Sequence, residues 1–309
     1  MKYIFGPVPS RRLGSSLGIE VVPHKICNFD CLYCEVGKTN KLTIKRDRYI
    51  NIEEMLNEFK IKYTQFQSHI DVITITGAGE PTLNSDLQKI IQEIKKISKH
   101  PVALLTNSTM IDNKDVQDAL MEIDILVPSV DAISIDIVEK LNKPHKKLDW
   151  EKVLDALQHF SHKYQGDMFI EILLVKGLND TYQELSKIAE YINKLKYTKV
   201  QLNTVYRPPA YTETKGLADK ELLEIMFFFA KKGLKVEPVG NFIKEINSPT
   251  SSDLVSTITS LLRMRPCTLQ DLKLIFSSQK NELEAILNSI EKIEKSSYNG
   301  ELYYMVKDR

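Results

Sequence analysis

Short apolar segments alternate with longer amphipathic segments between residues 19 and 239, and this alternation predicts a sheet of parallel strands. The segment 72–76 is rich in β-branched residues, as buried strands are, whereas 83–99 carries leucine and isoleucine at the spacing of a helix. Strands separated by helices pair in parallel through right-handed crossovers, so the predicted fold class is α/β. We predict strands at 19–22, 72–76, 102–106, 123–130, 169–175, 200–205 and 234–239. We predict helices at 51–67, 83–99, 113–122, 150–163, 180–194 and 219–232.

The pattern changes after residue 247, which predicts two domains, 1–247 and 248–309. Ser248-Pro249-Thr250 indicates the boundary. Three helices, at 253–264, 269–276 and 280–293, precede a hairpin whose turn is Asn299-Gly300, and together they predict a winged-helix-like domain. From residue 250 on, eight basic residues are balanced by eight acidic ones. We therefore expect no DNA binding and favour protein contact or substrate presentation.

Composition excludes several classes of protein. The chain is 42% hydrophobic with a net charge of +1, which is ample for a core and gives no global attraction to nucleic acid or anionic membrane. The longest strongly apolar run, 225–230, is too short to span a bilayer, and residues 1–12 do not resemble a signal peptide. The cysteine distribution is not that of a disulfide framework. We expect a cytoplasmic protein without a membrane partner.

Three of the four cysteines, Cys27, Cys31 and Cys34, lie in one short loop that can direct three thiolates at one inorganic group. A [4Fe–4S] cluster normally takes four cysteines, so a cluster held here would keep one iron without a protein ligand. A zinc site is the alternative, because His24 could supply a fourth ligand. Cys267 is distant in sequence, so the chain has thiolates for one cluster and not for two.

This spacing, with Tyr33 before the last cysteine, resembles the signature of the radical S-adenosylmethionine (SAM) enzymes. The resemblance implies a partial (β/α)6 TIM-like barrel that holds one [4Fe–4S] cluster. In that family the open iron chelates SAM, and an electron from the cluster splits it into methionine and a 5′-deoxyadenosyl radical that abstracts hydrogen from a substrate. An electron donor such as flavodoxin or ferredoxin is implied. The cleavage requires no general base, so no catalytic acid or base is assigned.

Polar residues follow the predicted strands, where barrels of this type carry their active sites. Gly77-Ala78-Gly79-Glu80 resembles the family's glycine-glycine-glutamate motif for the methionine ammonium, with Ala78 replacing a glycine. Helix capping and turn formation remain open as ordinary roles for these strand-end residues. Further SAM contacts are expected at Tyr33 in the cysteine loop, at Asn107 for the ribose, at Ser129 and Asp131 for the ribose or carboxylate, at Lys176 for the carboxylate, at Leu178 in the adenine loop, and at Asn203 inside the barrel.

Three arginines are candidates for binding an anion or the substrate. Arg11 and Arg12 lie in the N-terminal segment close to the cysteine loop, and Arg207 lies at the rigid turn after the strand 200–205. Their alternative role is that of ordinary surface residues.

The run Phe5-Gly6-Pro7-Val8-Pro9-Ser10-Arg11-Arg12, together with the barrel, resembles the wyosine-synthase-related branch of radical SAM proteins, the Fe–S oxidoreductases. Wyosine synthases modify tRNA and carry a second cluster on additional cysteines, whereas this chain has no cysteine before Cys27. The substrate therefore stays open among RNA, protein and small molecules. Two alternatives are an activase that places a radical on a partner protein and a zinc-bearing winged-helix regulator without enzymatic activity.

Overall fold

The structure, a computed structural model, describes residues 2–10, 12–23, 25–239, 254–276 and 283–307. The strands are β1 (Ile4–Ser10), β2 (Gly14–Glu20), β3 (Ile26–Cys27), β4 (Lys41–Leu42), β5 (Val72–Thr76), β6 (Val102–Thr106), β7 (Ile125–Pro128), β8 (Asp167–Leu174), β9 (Lys199–Thr204), β10 (Val236–Pro238), β11 (Cys267–Thr268), β12 (Ile293–Tyr298) and β13 (Glu301–Val306). The helices are α1 (Ile52–Phe66), α2 (Leu87–Ile97), α3 (Lys114–Leu120), α4 (Ile135–Leu141), α5 (Trp150–Lys163), α6 (Tyr182–Ile192), α7 (Asp219–Lys231), α8 (Leu254–Met264), α9 (Leu269–Ile275) and α10 (Leu283–Ser289).

The main sheet has eight strands in the order β1-β2-β5-β6-β7-β8-β9-β10. Every pair from β2 to β10 is parallel, and only β1 runs antiparallel to its neighbour. The α/β prediction with parallel strands is confirmed. Because all of the parallel strands point the same way, their carboxyl ends lie at one edge, and the polar loops that follow them gather there.

The core lies between the sheet and the helices that connect its strands. Ile73 and Ile75 of β5 are completely buried, as are Ile90, Ile91 and Ile94 of α2. Alternate residues of a strand point to opposite faces, so burying these residues leaves the intervening Thr74 and Thr76 on the other face. Apolar burial on this scale holds each strand in register and fixes where its carboxyl end emerges.

The N-terminal segment contains two strands that were not predicted. The first predicted strand begins at residue 19, yet β1 and β2 pair as antiparallel strands with an irregular register between Phe5 and Val8. Gly6-Pro7 falls in that irregularity, and β1 is an edge strand, where proline is tolerated because no ladder hydrogen bond is lost. The prolines therefore mark an edge strand and not a loop.

Two helix predictions also change. Helix α4 was not predicted, because seven residues with only Val138 and Leu141 buried give a weak periodic signal. The helix predicted from residue 180 begins later, at Tyr182. Thr181 is the N-cap and accepts from the Glu184 amide at 3.3 Å, whereas Asp180 accepts from the amide of Gly177.

The C-terminal part contains the expected helices α8 and α9, a third helix α10 and a small sheet of order β11-β13-β12. The predicted boundary at 247/248 lies outside the described residues, so the division into 1–247 and 248–309 stays a prediction. No helix among the described residues is long and apolar enough to cross a membrane.

The C-terminal part packs against the edge strand β1 and against the segment that follows β9. Val8 of β1 belongs to its hydrophobic core. On the other side, the Tyr303 hydroxyl donates to the carbonyl of Tyr206, just beyond β9, at 2.9 Å. Tyr298 packs in a small apolar cluster with Val205. The C-terminal part therefore links the β1 edge to the exit of β9.

Candidate active site

The cysteine loop begins directly after β2 and lies at the carboxyl edge of the sheet. Cys27 is buried, Cys31 and Cys34 are half-buried, and all three thiols are free. The backbone closes the loop, because the Thr43 amide donates to the Cys27 carbonyl at 2.9 Å and the Asn40 amide donates to the Lys25 carbonyl at 3.1 Å. The segment after β9 covers it, since the Tyr211 hydroxyl donates to Asp30 at 2.6 Å.

Each of the three sulfurs accepts an N–H hydrogen bond. Lys25 donates to Cys34 Sγ at 2.9 Å, Asn142 to Cys31 Sγ at 3.5 Å, and Asn107 to Cys27 Sγ at 3.8 Å. Thiolate sulfurs that ligate iron–sulfur clusters are tuned by hydrogen bonds of this kind. The donors therefore suit three thiolates better than three neutral thiols.

Burial raises the pKa of the Cys27 thiol to about 11, although the nearby Lys25 ammonium opposes the shift. Burial and the neighbouring sulfurs also raise the pKa of Cys31. A metal must displace these protons to bind. Among the described residues, no three His, Cys, Asp or Glu side chains converge closely enough to hold a single metal ion. A [4Fe–4S] cluster does not require that convergence, because each thiolate binds a different iron. The donor set fits a cluster held by Cys27, Cys31 and Cys34.

Gly79 makes room for the cysteine loop. A Cβ at this position would lie 1.6 Å from the carbonyl oxygen of Ile26, the residue before Cys27. The amide of Glu80 donates to the same carbonyl at 3.2 Å. Gly79 therefore allows the backbone of the cysteine loop to approach the turn after β5.

The Glu80 carboxylate is buried and surrounded by donors. It accepts hydrogen bonds from the Thr82 amide at 3.0 Å, from the Thr82 and Thr106 hydroxyls at 2.6 Å, and from the Asn107 amide at 2.8 Å. Burial raises its pKa, and these hydrogen bonds counteract the shift. Glu80 thus joins the loop after β5 to the loop after β6 and fixes the position of Asn107.

Asn107 is bound on three sides. Its side-chain Nδ2 donates to Asn28 Oδ1 at 2.6 Å, and its side-chain Oδ1 accepts from the Thr109 hydroxyl at 2.7 Å. Together with its contact to Cys27 Sγ, these bonds place it between the cysteine loop and the strand ends. The expected residues Cys27, Gly79, Glu80 and Asn107 are therefore brought together.

A second buried carboxylate, Asp131, lies beside Cys31. The Tyr33 hydroxyl donates to Asp131, the Asn142 side chain donates to it at 3.2 Å, and the Leu173 amide donates at 2.9 Å. Burial raises the pKa of Asp131 to about 6, whereas the Tyr33 hydrogen bond lowers it. Burial next to this carboxylate raises the pKa of Tyr33 well above its usual value. Tyr33 and Asp131 act as one unit.

The remaining expected residues lie at different distances from this centre. The backbone of Ser129 pairs with that of Glu171 in an isolated parallel β-bridge. The Glu171 carboxylate accepts a hydrogen bond from the Asn203 side chain at 3.0 Å and contacts Arg12. Leu178 packs in one apolar cluster with Tyr33.

Other residues are not brought to the centre. The Lys176 ammonium pairs with Glu221 at 2.9 Å on the exposed start of α7. Arg207 pairs with Glu35, the residue after Cys34, at 3.2 Å and does not present a free guanidinium to an anion. Gly77 and Ala78 lie in the turn without polar side chains. Arg11 and His24 lie outside the described residues.

Sequence reasoning missed Lys25, Asn28, Asn142 and Glu171. Lys25 and Asn28 flank Cys27 in sequence, which was a usable signal. Asn142 ends the unpredicted helix α4, and Glu171 lies mid-strand in β8, so their roles depend on the fold and could not be seen in the sequence.

A cavity of about 650 Å³ opens between the cysteine loop and the C-terminal part. Lys25, Ala78 and the buried Glu20 line it on one side, and Arg263 and Lys307 on the other. Burial raises the pKa of Glu20 to about 7, although the charge of Arg263 and the Ala78 amide lower it.

The comparisons with known proteins agree with this geometry. The profile of the radical SAM superfamily matches residues 21–192, more than half of the chain. The chain therefore belongs to the radical SAM superfamily, as its cysteine spacing predicted, and it is a radical SAM enzyme. Members of this superfamily use an iron–sulfur cluster and SAM. The narrower wyosine-synthase-related branch stays a prediction.

Individual relatives cover the chain to different extents. A "UPF0026 protein" of Helicobacter pylori is 36% identical over 288 residues, which is 92% of each chain. A Brachyspira hyodysenteriae protein named "GTPase Obg" is 32% identical over 99% of this chain, which spans 45% of that protein. A "Probable dual-specificity RNA methyltransferase RlmN" of Thermotoga petrophila is 26% identical over 68% of this chain and 61% of its own length.

A solved structure confirms the fold. The radical SAM methyltransferase from Sphaerobacter thermophilus superimposes with a TM-score of 0.55 at 15% identity, covering 72% of this chain and 66% of its own. At this identity the likeness concerns the fold alone.

Replacing Gly79 by alanine should destabilise the protein by about 3 kcal/mol, because the new methyl group collides with the Ile26 carbonyl. Gly177→Ala is the matched control. It has open space around its Cβ but a φ of +77°, so we expect a cost of about 1 kcal/mol. Urea unfolding measures both, and equal costs for the two variants would contradict the close contact at Gly79.

Glu20→Gln should remove a pH dependence of stability. The folded-state pKa of Glu20 is about 7 against an ordinary value of 4.5, so wild type loses stability as pH rises from 4.5 to 7 and is constant above. The loss amounts to about 3 kcal/mol relative to the variant. Unfolding free energies between pH 4 and 8 measure it, with exposed Glu139→Gln as control. Parallel curves for wild type and Glu20→Gln would contradict the buried carboxyl.

Proposed function

We propose that this enzyme holds one [4Fe–4S] cluster on Cys27, Cys31 and Cys34 and uses it to cleave SAM for hydrogen abstraction from a substrate. When bound, the cluster supplies the electron that splits the sulfonium of SAM into methionine and a 5′-deoxyadenosyl radical. The observation that carries the proposal is the arrangement of three free cysteine sulfurs, each with an N–H donor, at the carboxyl edge of a parallel sheet. An electron donor such as flavodoxin or ferredoxin belongs to the same proposal.

The chain's own residues form the rest of the site. Glu80 aligns the loop after β5 with Asn107, and we assign the methionine part of SAM to this loop, with Gly77 and Ala78 contributing backbone. Asp131 with Tyr33 and Ser129 is assigned to the ribose side, and Leu178 to the adenine side, because it packs near Tyr33.

The substrate space is assigned to the polar side chains beyond Asp131. Glu171 contacts both Arg12 and Asn203, and its charge acts on Asp131. The side chains of Arg12 and Glu171 are 18% and 10% exposed. Buried charges of both signs suit a polar substrate with hydrogen-bond donors and acceptors.

RNA is the substrate class with independent support, because a relative is named as an RNA methyltransferase. A protein substrate, as for an activase, and a small molecule remain alternatives. GTPase activity is not proposed, since the chain spans 45% of the relative with that name. The C-terminal part is assigned to contact or presentation of the substrate.

Glu80→Gln should weaken SAM binding by roughly tenfold, because the glutamine amide opposes the donors of Thr82 and Asn107. The cluster should stay, since Glu80 does not bond the cysteine sulfurs. Equilibrium dialysis with SAM and iron analysis measure both, and the exposed Glu53→Gln serves as control. Loss of iron, or unchanged SAM affinity, would remove Glu80 from the proposed role.

Replacing Cys27, Cys31 or Cys34 by alanine should abolish cluster binding, because the cluster already lacks one protein ligand. Cys267→Ser should leave the iron content unchanged, since Cys267 is buried in the core of the C-terminal part. Wild type reconstituted without oxygen should contain about four irons per chain and slowly form 5′-deoxyadenosine after reduction with dithionite. About eight irons, or bound zinc without deoxyadenosine, would contradict the proposal.

A further inference from the structure

Lys25 is a buried ammonium in direct contact with the cysteine sulfurs. Lys25 is 5% exposed, and its Nζ lies 2.9 Å from Cys34 Sγ. The ammonium also attracts the sulfurs of Cys27 and Cys31. Within the described part of the chain, Lys25 forms no ion pair with a carboxylate, so its hydrogen bond is directed at a sulfur.

The backbone holds Lys25 in this place. Its φ of +52° is left-handed, which costs about 1 kcal/mol for a residue other than glycine. Its carbonyl accepts from the Asn40 amide at 3.1 Å, which ties it to the end of the loop. Asp30, whose charge interacts with that of Lys25, already accepts hydrogen bonds from the Tyr211 hydroxyl and from the Thr39 amide at 2.7 Å. The ammonium is therefore fixed toward Cys34.

A fixed positive charge next to thiolate ligands favours the reduced form of a cluster. Reduction adds one negative charge, and a buried cation at hydrogen-bond distance stabilises that charge more than water would. The other sulfur donors are neutral: the Asn107 side chain at 3.8 Å, the Asn142 side chain at 3.5 Å and the Phe29 amide at 3.5 Å. Charge-assisted hydrogen bonds are stronger than neutral ones, so Lys25 has the largest effect of these donors.

We propose that Lys25 is a positioning residue that acts through Cys34 and raises the reduction potential of the cluster. The inference rests on the proposed function, because it requires the cluster on Cys27, Cys31 and Cys34. It assigns to Lys25 the task of making the cluster reducible by a biological electron donor in a site that is otherwise rich in buried negative groups, such as Glu80 and Asp131.

The experiment is a potentiometric titration followed by the electron paramagnetic resonance signal of the reduced cluster, without SAM or substrate. For Lys25→Met, the ratio of reduced to oxidised cluster at the wild-type midpoint should fall at least tenfold, equal to a shift of about 59 mV toward negative potential. Lys25→Arg keeps the charge and should stay within about threefold of wild type. Lys38→Met is the matched control, because Lys38 lies over the ring of Tyr211 close to the loop without a hydrogen bond to sulfur.

An unchanged midpoint in an iron-replete Lys25→Met protein would overturn the proposal. Should Lys25→Met bind no iron, Lys25→Gln replaces it, and a wild-type midpoint in that variant has the same meaning. Iron loss in both neutral variants with retention in Lys25→Arg would also overturn it, since Lys25 would then serve cluster assembly. Failure of the proposed function is distinct, because wild type itself would then hold no cluster or form no 5′-deoxyadenosine.

Discussion

The backbone of the cysteine loop touches the backbone of the turn after β5 at Gly79, and the rest of the site depends on this contact. The Ile26 carbonyl occupies the space that any side chain at 79 would need and accepts the Glu80 amide. One residue later comes Cys27, so this contact sets the distance between the first thiol and the strand ends. If only the short strands β3 and β4 held the loop, its position relative to the strand ends would not be fixed.

From this contact, two buried carboxylates extend the organisation across the sheet edge. Glu80 joins the loops after β5 and β6, and Asp131 joins Tyr33 of the cysteine loop to β8 through the Leu173 amide. Buried carboxylates are costly unless they accept several hydrogen bonds, and both of these do. Their first role is to position neighbouring groups, and the amides and hydroxyls they hold remain close to the three sulfurs.

The sequence predicted the architecture well where the apolar period was regular. The strands at 72–76 and 102–106 and the helix at 150–163 have the predicted bounds, because burial on one face decides them locally. The N-terminal hairpin was missed because Gly6-Pro7 gives the signal of a loop, and only the edge position of β1 explains its tolerance. Among site residues, Cys27 and Glu80 were found through motifs. Asn142 and Glu171 were not, because their roles exist only after folding brings distant segments together.

In the proposed site, the three cysteines leave one iron of the cluster open for SAM. The most direct measurement is the electron paramagnetic resonance spectrum of the dithionite-reduced protein, recorded before and after addition of SAM. SAM that binds the open iron changes the ligands of the cluster, so we expect a clear change in g-values in wild type. A spectrum of a reduced [4Fe–4S] cluster that SAM leaves unchanged would contradict the claim.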